Sequence, residues 1–214
     1  MPARLRPTAP IAPDAILVGD PGRALMLAQE LLQQPKMSNH ARGLWGYSGV
    51  TAMDRELTIQ STGMGGPSAS VVLRDVAELG VRRAIRVGTC VALGDLGLGE
   101  FLIVNEALTP GGDHFLPDLA LTDRLEGALE GAARGLVVSL DSLFRPEAEL
   151  PSLVAEGADM QTAGLLGAAK EHGVSAAAVL IVAERSDSGQ LSEDDVENAA
   201  KQAGQAAASI LAST

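Results

Sequence analysis

Three short loops carry residue types suited to holding a phosphate. The first, Gly19-Asp20-Pro21-Gly22-Arg23, follows a short apolar run and opens a stretch of strong helix formers. Backbone N–H groups at a helix start attract anions, and the forked guanidinium of Arg23 matches phosphate oxygens. The second, Arg86-Val87-Gly88-Thr89-Cys90, places a charge at the end of an apolar strand, with a hydroxyl after it. The third, from Gly63 to Ser68, lets backbone come close to a ligand because it is poor in side chains. All three fall where ligands sit in open α/β sheets, at the carboxyl ends of strands. Taken singly, each also reads as ordinary structure: a Gly/Pro turn is often only a turn, and a strand-end arginine often caps a surface.

The elements that position these loops follow from periodicity. Residues 15–18 form a continuous apolar run, as expected of a strand buried on both faces. Residues 23–34 have helical spacing of apolar residues. Residues 44–50 and 57–61 read as strands. A helix then runs from the glycine-rich turn through Leu79, with Pro67 in its first turn. Strands are expected at 84–87, 101–108, 135–140 and 175–183, and helices at 121–132, 159–172 and 193–211. Gly173 ends the second of these helices, with His172 at its negative end. This alternation predicts an α/β fold, a three-layer α/β/α single domain around a central mixed, mostly parallel sheet. Residues 1–13 hold four prolines and no periodicity, so they read as an N-terminal arm outside the core, with residues 14–214 as the domain.

Composition narrows the function. The chain has 214 residues, 46% of them apolar, and 16 Lys+Arg against 27 Asp+Glu give a net charge of -11. That balance argues against nucleic acid and against an anionic membrane surface as partners. The longest apolar run, residues 176–183, is far short of the roughly 18 needed to span a bilayer. Cys90 is the single cysteine, and the proline-broken start lacks a signal-peptide core, so a soluble cytoplasmic protein is expected. His40, His114 and His172 have no metal-ligand spacing. Of the five aromatics, Phe144 is the best placed to stack on a base, Phe115 reads as either core or a pocket cap, and Trp45 and Tyr47 read as packing residues.

Five ordered blocks carry a resemblance: VGDPGRA (18–24), ARGLWGYSG (41–49), STGMGGPSAS (61–70), RVGTC (86–90) and DMQTAGLL (159–166). Together they resemble the nucleoside phosphorylase family of bacterial hexameric purine nucleoside phosphorylases and uridine phosphorylases. The resemblance implies phosphorolysis of a nucleoside to free base and ribose 1-phosphate, with inorganic phosphate as co-substrate and no cofactor or metal. It implies a phosphate site of Gly19, Arg23, Arg86 and Thr89, with Arg42 lent by a neighbouring subunit of a dimer-based hexamer. Met64, Phe144 and the segment Asp159-Met160-Gln161 fall where the family holds the nucleoside. Glu184, with Arg185 beside it, falls where an acid faces the base. Such a reaction builds positive charge on the sugar and needs guanidinium groups for the phosphate dianion, with no activated nucleophile. An acid with a raised pKa, such as Glu184, could protonate the leaving base.

Several positions depart from the family pattern. Gln161 replaces a glutamate that grips the ribose hydroxyls, exchanging a charge-assisted hydrogen bond for a neutral one, a difference of about 1 kcal/mol or more. Val91 stands where the family has glycine, raising the prospect of crowding or a forbidden positive φ. The segment 109–121 is short, the arm lacks a histidine that some relatives lend across the interface, and Arg145 replaces a common aromatic. Three readings follow: a phosphorylase, a non-catalytic relative that binds phosphate or nucleoside, and a hydrolase of the same fold. Retention of three arginines disfavours the last. The GLWGYSG block leans toward purine rather than uridine.

Overall fold

In a computed structural model, residues 3–143 and 154–213 are described. The sheet begins with β1 (Asp14–Val18), which leads through the Gly19–Asp20 turn into α1 (Pro21–Leu31). Asp20 caps that helix, accepting the backbone N–H of Arg23 at 2.7 Å. The helix stops three residues short of the expected 34. Gln34 precedes Pro35, which disfavours helical backbone there, and the chain turns instead into an edge strand, β2 (Leu32–Asn39). A 3₁₀ turn at Ala41–Gly43 leads to β3 (Gly46–Thr51), which forms an antiparallel meander with β2 and β4 (Glu56–Ser61).

The glycine-rich turn then opens α2 (Gly66–Glu78), with Pro67 in its first turn as expected. β5 (Arg83–Ala92) is much longer than the 84–87 expected, so Arg86 and Thr89 lie within a strand rather than at its end. β10 pairs with β5 continuously from Arg83 to Cys90 and carries the strand past Gly88. After β6 (Phe101–Leu108), a two-residue β7 (His114–Phe115) and α3 (Leu119–Ala128) come β8 (Ala133–Ser139) and β9 (Gly157–Asp159). α4 (Thr162–His172) begins three residues later than expected because Asp159 ends β9 and its carboxylate accepts the Thr162 N–H at 3.0 Å. Gly173 ends α4 in the left-handed conformation. β10 (Ser175–Arg185), β11 (Gly189–Gln190) and α5 (Glu193–Ala212) complete the chain.

The result is a mixed sheet with helices on both sides. β1 pairs in parallel with β4 and β5, and β5 pairs in parallel with β10. The antiparallel pairings lie in the β2–β4 meander and around β6, β9 and β11. Strand periodicity sorts the two faces. Leu17, Ala84, Leu180 and Val182 pack under α2 and α4, whereas Ile16, Ile85, Val179 and Ile181 pack under α1, α3 and α5. The arm is not outside the core, as its prolines suggested. Leu5 is buried against the α2–α4 layer, and Ala12 is buried with its N–H on the Thr58 hydroxyl. Backbone N–H groups of Arg4 and Leu5 both reach the buried carboxylate of Asp75. Among the described residues, no helix is long and apolar enough to cross a membrane.

Candidate active site

The carboxyl ends of β1, β4 and β5 open into a cavity of about 350 Å³. Its lining brings together Gly19, Asp20 and Arg23 from the β1–α1 turn, Gly63, Met64 and Gly65 from the β4–α2 turn, and Arg86, Gly88 and Thr89 from β5. Leu143, Met160 and Gln161 close another wall. Residues more than 140 positions apart thus converge because three parallel strands end side by side.

Arg86 is the most constrained side chain of the site, only 4% exposed. Its Nε donates to the Thr162 hydroxyl at 3.1 Å, one terminal nitrogen to Gln161 Oε1 at 2.8 Å, and the other to Asp159 at 3.0 Å. Of five N–H groups, one on each terminal nitrogen is left for an anion in the cavity. The shelf is itself braced: Asp159 accepts the Ser139 hydroxyl at 2.5 Å and the Thr162 hydroxyl at 2.6 Å. Gly88 is what lets the guanidinium lie back along the strand. A Cβ there would stand 2.6–2.8 Å from Arg86 and Leu180 atoms.

Arg23 faces the same cavity differently. Its side chain makes no hydrogen bond or ion pair among the described residues. Burial lowers its pKa, Asp20 and Glu197 raise it, and the neighbouring positive charge of Arg86 lowers it again. Two mutually repelling guanidiniums, one braced and one unpartnered, create a cavity that an anion would relieve. The wall opposite is backbone. Gly63 and Gly65 both have positive φ, 74° and 79°, which only glycine adopts without strain, and this turn leaves Met64 79% exposed over the opening.

Not every residue singled out from the sequence lies here. Asp159 is buried behind Arg86 as its counter-ion and does not line the cavity, whereas Met160 and Gln161 do. Gln161 is turned inward: Oε1 accepts from Arg86 and from Thr62 (3.1 Å), and Nε2 donates to the Gly63 carbonyl at 2.7 Å. Arg42 is exposed in the 3₁₀ turn and borders a different cavity. Glu184 is exposed and accepts from Gln190 at 3.1 Å, because a bulge between Val182 and Glu184 turns β10 into a hairpin with β11. Arg185 is held by Asp187 at 2.7 Å and by the Leu96 carbonyl, outside the cavity lining. Phe144 and Arg145 lie outside the described residues.

Val91 sits in extended backbone, pairing with Ala158, so no positive φ is needed there. Phe115 packs against Gly167 of α4, as core. Among the described residues, no group of three or more His, Cys, Asp or Glu side chains is arranged to hold a metal. Burial pushes the Cys90 thiol up to about 12, so it stays protonated and inert. Sequence reasoning missed Ser139 and Thr162, the hydroxyls that hold Asp159. The Asp-x-x-Thr spacing was an available capping signal for the second; Ser139, twenty residues away on β8, offered none.

The phosphorylase superfamily model matches residues 13–214. A DeoD-type purine nucleoside phosphorylase of Bacillus cereus is 32% identical over 84% of this chain and 85% of its own. A DeoD-type 2 purine nucleoside phosphorylase of Aliivibrio fischeri is 32% identical over 86% of both. A uridine phosphorylase from Vibrio fischeri ES114, solved with 6-hydroxy-1-naphthoic acid, superposes with a TM-score of 0.82 at 23% identity, covering 95% of this chain and 93% of its own. The mixed sheet, the strand-end cavity and these matches agree, and the chain belongs to the phosphorylase superfamily.

Proposed function

We propose that this chain is a pentosyltransferase, catalysing phosphorolysis of a nucleoside to free base and ribose 1-phosphate, with purine preferred to uridine. The observation that carries the reading is the pairing of braced Arg86 with unpartnered Arg23 in one cavity walled by Gly63–Gly65. The purine nucleoside phosphorylases at 32% identity support the choice of reaction and base.

In this reading a phosphate dianion sits against Gly19, Arg23, Thr89 and the free N–H groups of Arg86. Held there, it is positioned to attack C1′ as positive charge builds on the sugar. Met64 and Met160 supply apolar contact to the nucleoside, with Gln161 at the sugar. Glu184 belongs to the same strand-end rim, paired across from Val91 two residues beyond Thr89, and is the acid for the departing base. Arg185 steadies that rim. Arg42, remote from the cavity of its own chain, is lent to a neighbour in a dimer-based hexamer. Inorganic phosphate is the co-substrate and no cofactor is required. The place of action is the cytoplasm, in nucleoside salvage.

One observation favours a second reading, a relative that binds without turning over: Gln161 directs its acceptor to Arg86 instead of the cavity. Release of base from inosine, guanosine, adenosine, uridine and thymidine, each with and without phosphate, separates the two. Phosphate-dependent release, fastest with a purine, is expected. Release that ignores phosphate overturns the assignment of the arginines, and no release from folded protein favours the binding-only relative.

A further inference from the structure

The cavity that holds Arg23 and Arg86 also holds an acid. Asp20 is the one carboxylate side chain among its described lining residues. A carboxylate is a poor neighbour for an anion, since an ionised acid offers only acceptors where the anion needs donors. Helix capping does not account for the charge. One oxygen, Oδ1, accepts the Arg23 N–H at 2.7 Å, and asparagine caps a helix as well as aspartate does. The other, Oδ2, has no hydrogen-bond or ion-pair partner among the described residues. Nor does the acid close on the Arg23 guanidinium three residues along, which is unpartnered too. Gly22 leaves the carboxylate its place, because a Cβ there would stand 3.0 Å from Asp20 Oδ1.

Charge alone gives this cavity little means of choosing among anions. Arg86 is already matched by Asp159 behind it, at 3.0 Å, which leaves Arg23 and Asp20, one charge of each sign, on the lining. Donors and acceptors do the choosing instead. Arg23, the free N–H groups of Arg86 and the Thr89 hydroxyl can donate, whereas Asp20 Oδ2 can only accept. Hydrogen phosphate is a tetrahedral dianion that keeps one O–H, so it can turn bare oxygens to the arginines and its proton to Asp20. Sulfate has the same shape and charge but no proton. Any oxygen it turns toward Asp20 meets a like charge.

We infer that Asp20 is a specificity-determining residue, which selects a tetrahedral oxyanion that carries a proton, hydrogen phosphate, over one that does not, sulfate. This rests on the phosphate placement proposed above and adds to it the group that reads the anion's proton. Asp20 is exposed, so water screens the repulsion, and the discrimination expected is about tenfold, well below that of a fully buried hydrogen bond.

Calorimetric titration of the whole protein with sodium phosphate and with sodium sulfate, at neutral pH and one ionic strength, tests this. The parent should bind phosphate about tenfold more tightly than sulfate. Asp20→Asn keeps the cap and exchanges the free acceptor for an amide that donates. Its melting temperature should hold, while sulfate affinity rises and the ratio of the two affinities approaches one. Equal affinities in the parent, or binding of neither anion, overturn the inference without need of a variant. An unchanged ratio in folded Asp20→Asn overturns it as well. Base release with and without phosphate, measured beside the titrations, keeps the two readings apart. Selective binding without base release retains the role of Asp20 and ends the phosphorolysis reading. Phosphate-dependent release from a protein that binds both anions alike does the reverse.

Discussion

Strands β5 and β10 lie side by side for nine residues, and both carry an arginine near their carboxyl ends, yet the two ends differ in kind. On β5, Arg86 is buried and tied by three bonds to residues 73 to 76 positions away in sequence. On β10, Arg185 is bound to an aspartate two residues along and to the Gly94 and Leu96 carbonyls, at the surface, and Glu184 is exposed beside it. A buried network fixes the first end in one geometry. The second is an exposed hairpin, whose ion pair is of a kind that contributes little to stability. On the phosphorolysis proposed above, the wall assigned to phosphate is therefore preorganised by buried bonds, whereas the rim assigned to the base is an exposed turn.

The sharpest way to break that contrast is Arg86→Ala. It would strand the buried Asp159 carboxylate, with Ser139 and Thr162 still aimed at it but no cation. Removing one partner of a buried pair typically costs about 3–5 kcal/mol. In a chain of this size that is a fall in melting temperature of about 10 °C or more. Thermal unfolding should register the loss, and titration with phosphate should register weakened binding. A melting temperature within a degree or two of the parent would mean that the Asp159 network does not depend on the cation.

Gly88→Ala probes the same wall more gently. The new methyl would meet the guanidinium and Leu180 inside 3 Å, so Arg86 must shift or the strands must part. Overpacking of this kind costs about 1–3 kcal/mol. Because only the shelf moves, phosphate affinity should fall more than stability does, and the two are separable by calorimetry and urea unfolding. Equal affinity in both proteins would show that Arg86 is not the phosphate ligand.

What could be read from the sequence follows the same division. Helices, and strands with apolar runs, were legible, because burial on one face writes its period into the chain: α2, α5 and β6 fall close to expectation. The edge strand β2 and the far half of β5 were not, since Gln-Gln-Pro and Gly-Thr become strand only through their neighbours' hydrogen bonds. Among site residues, Gly19, Arg23, Arg86 and Thr89 could be singled out as loop motifs, and they do share one cavity. Asp159 could not be recognised as a counter-ion, because nothing local says which charge it will meet. The arm misled for the same reason: prolines forbid regular structure but not burial of Leu5.

The smallest expected effect lies at the hairpin. Arg185 donates twice to Asp187, and this bond holds the Arg185 guanidinium above its ordinary pKa and the Asp187 carboxyl far below its own. Both groups stand at the surface, where water and salt screen the attraction and compete for the same bonds. Arg185→Ala should therefore change base release by less than about fivefold. Raising the ionic strength should narrow even that difference, since screening already weakens the pair in the parent protein. Measured beside Arg86→Ala under the same conditions, the two changes should lie far apart. A loss at Arg185 as large as that at Arg86 would instead mean that the hairpin folds over the cavity during the reaction. The rim assigned to the base would then be as firmly held during the reaction as the wall assigned to phosphate, and the difference in burial between the two strand ends would not carry over into catalysis.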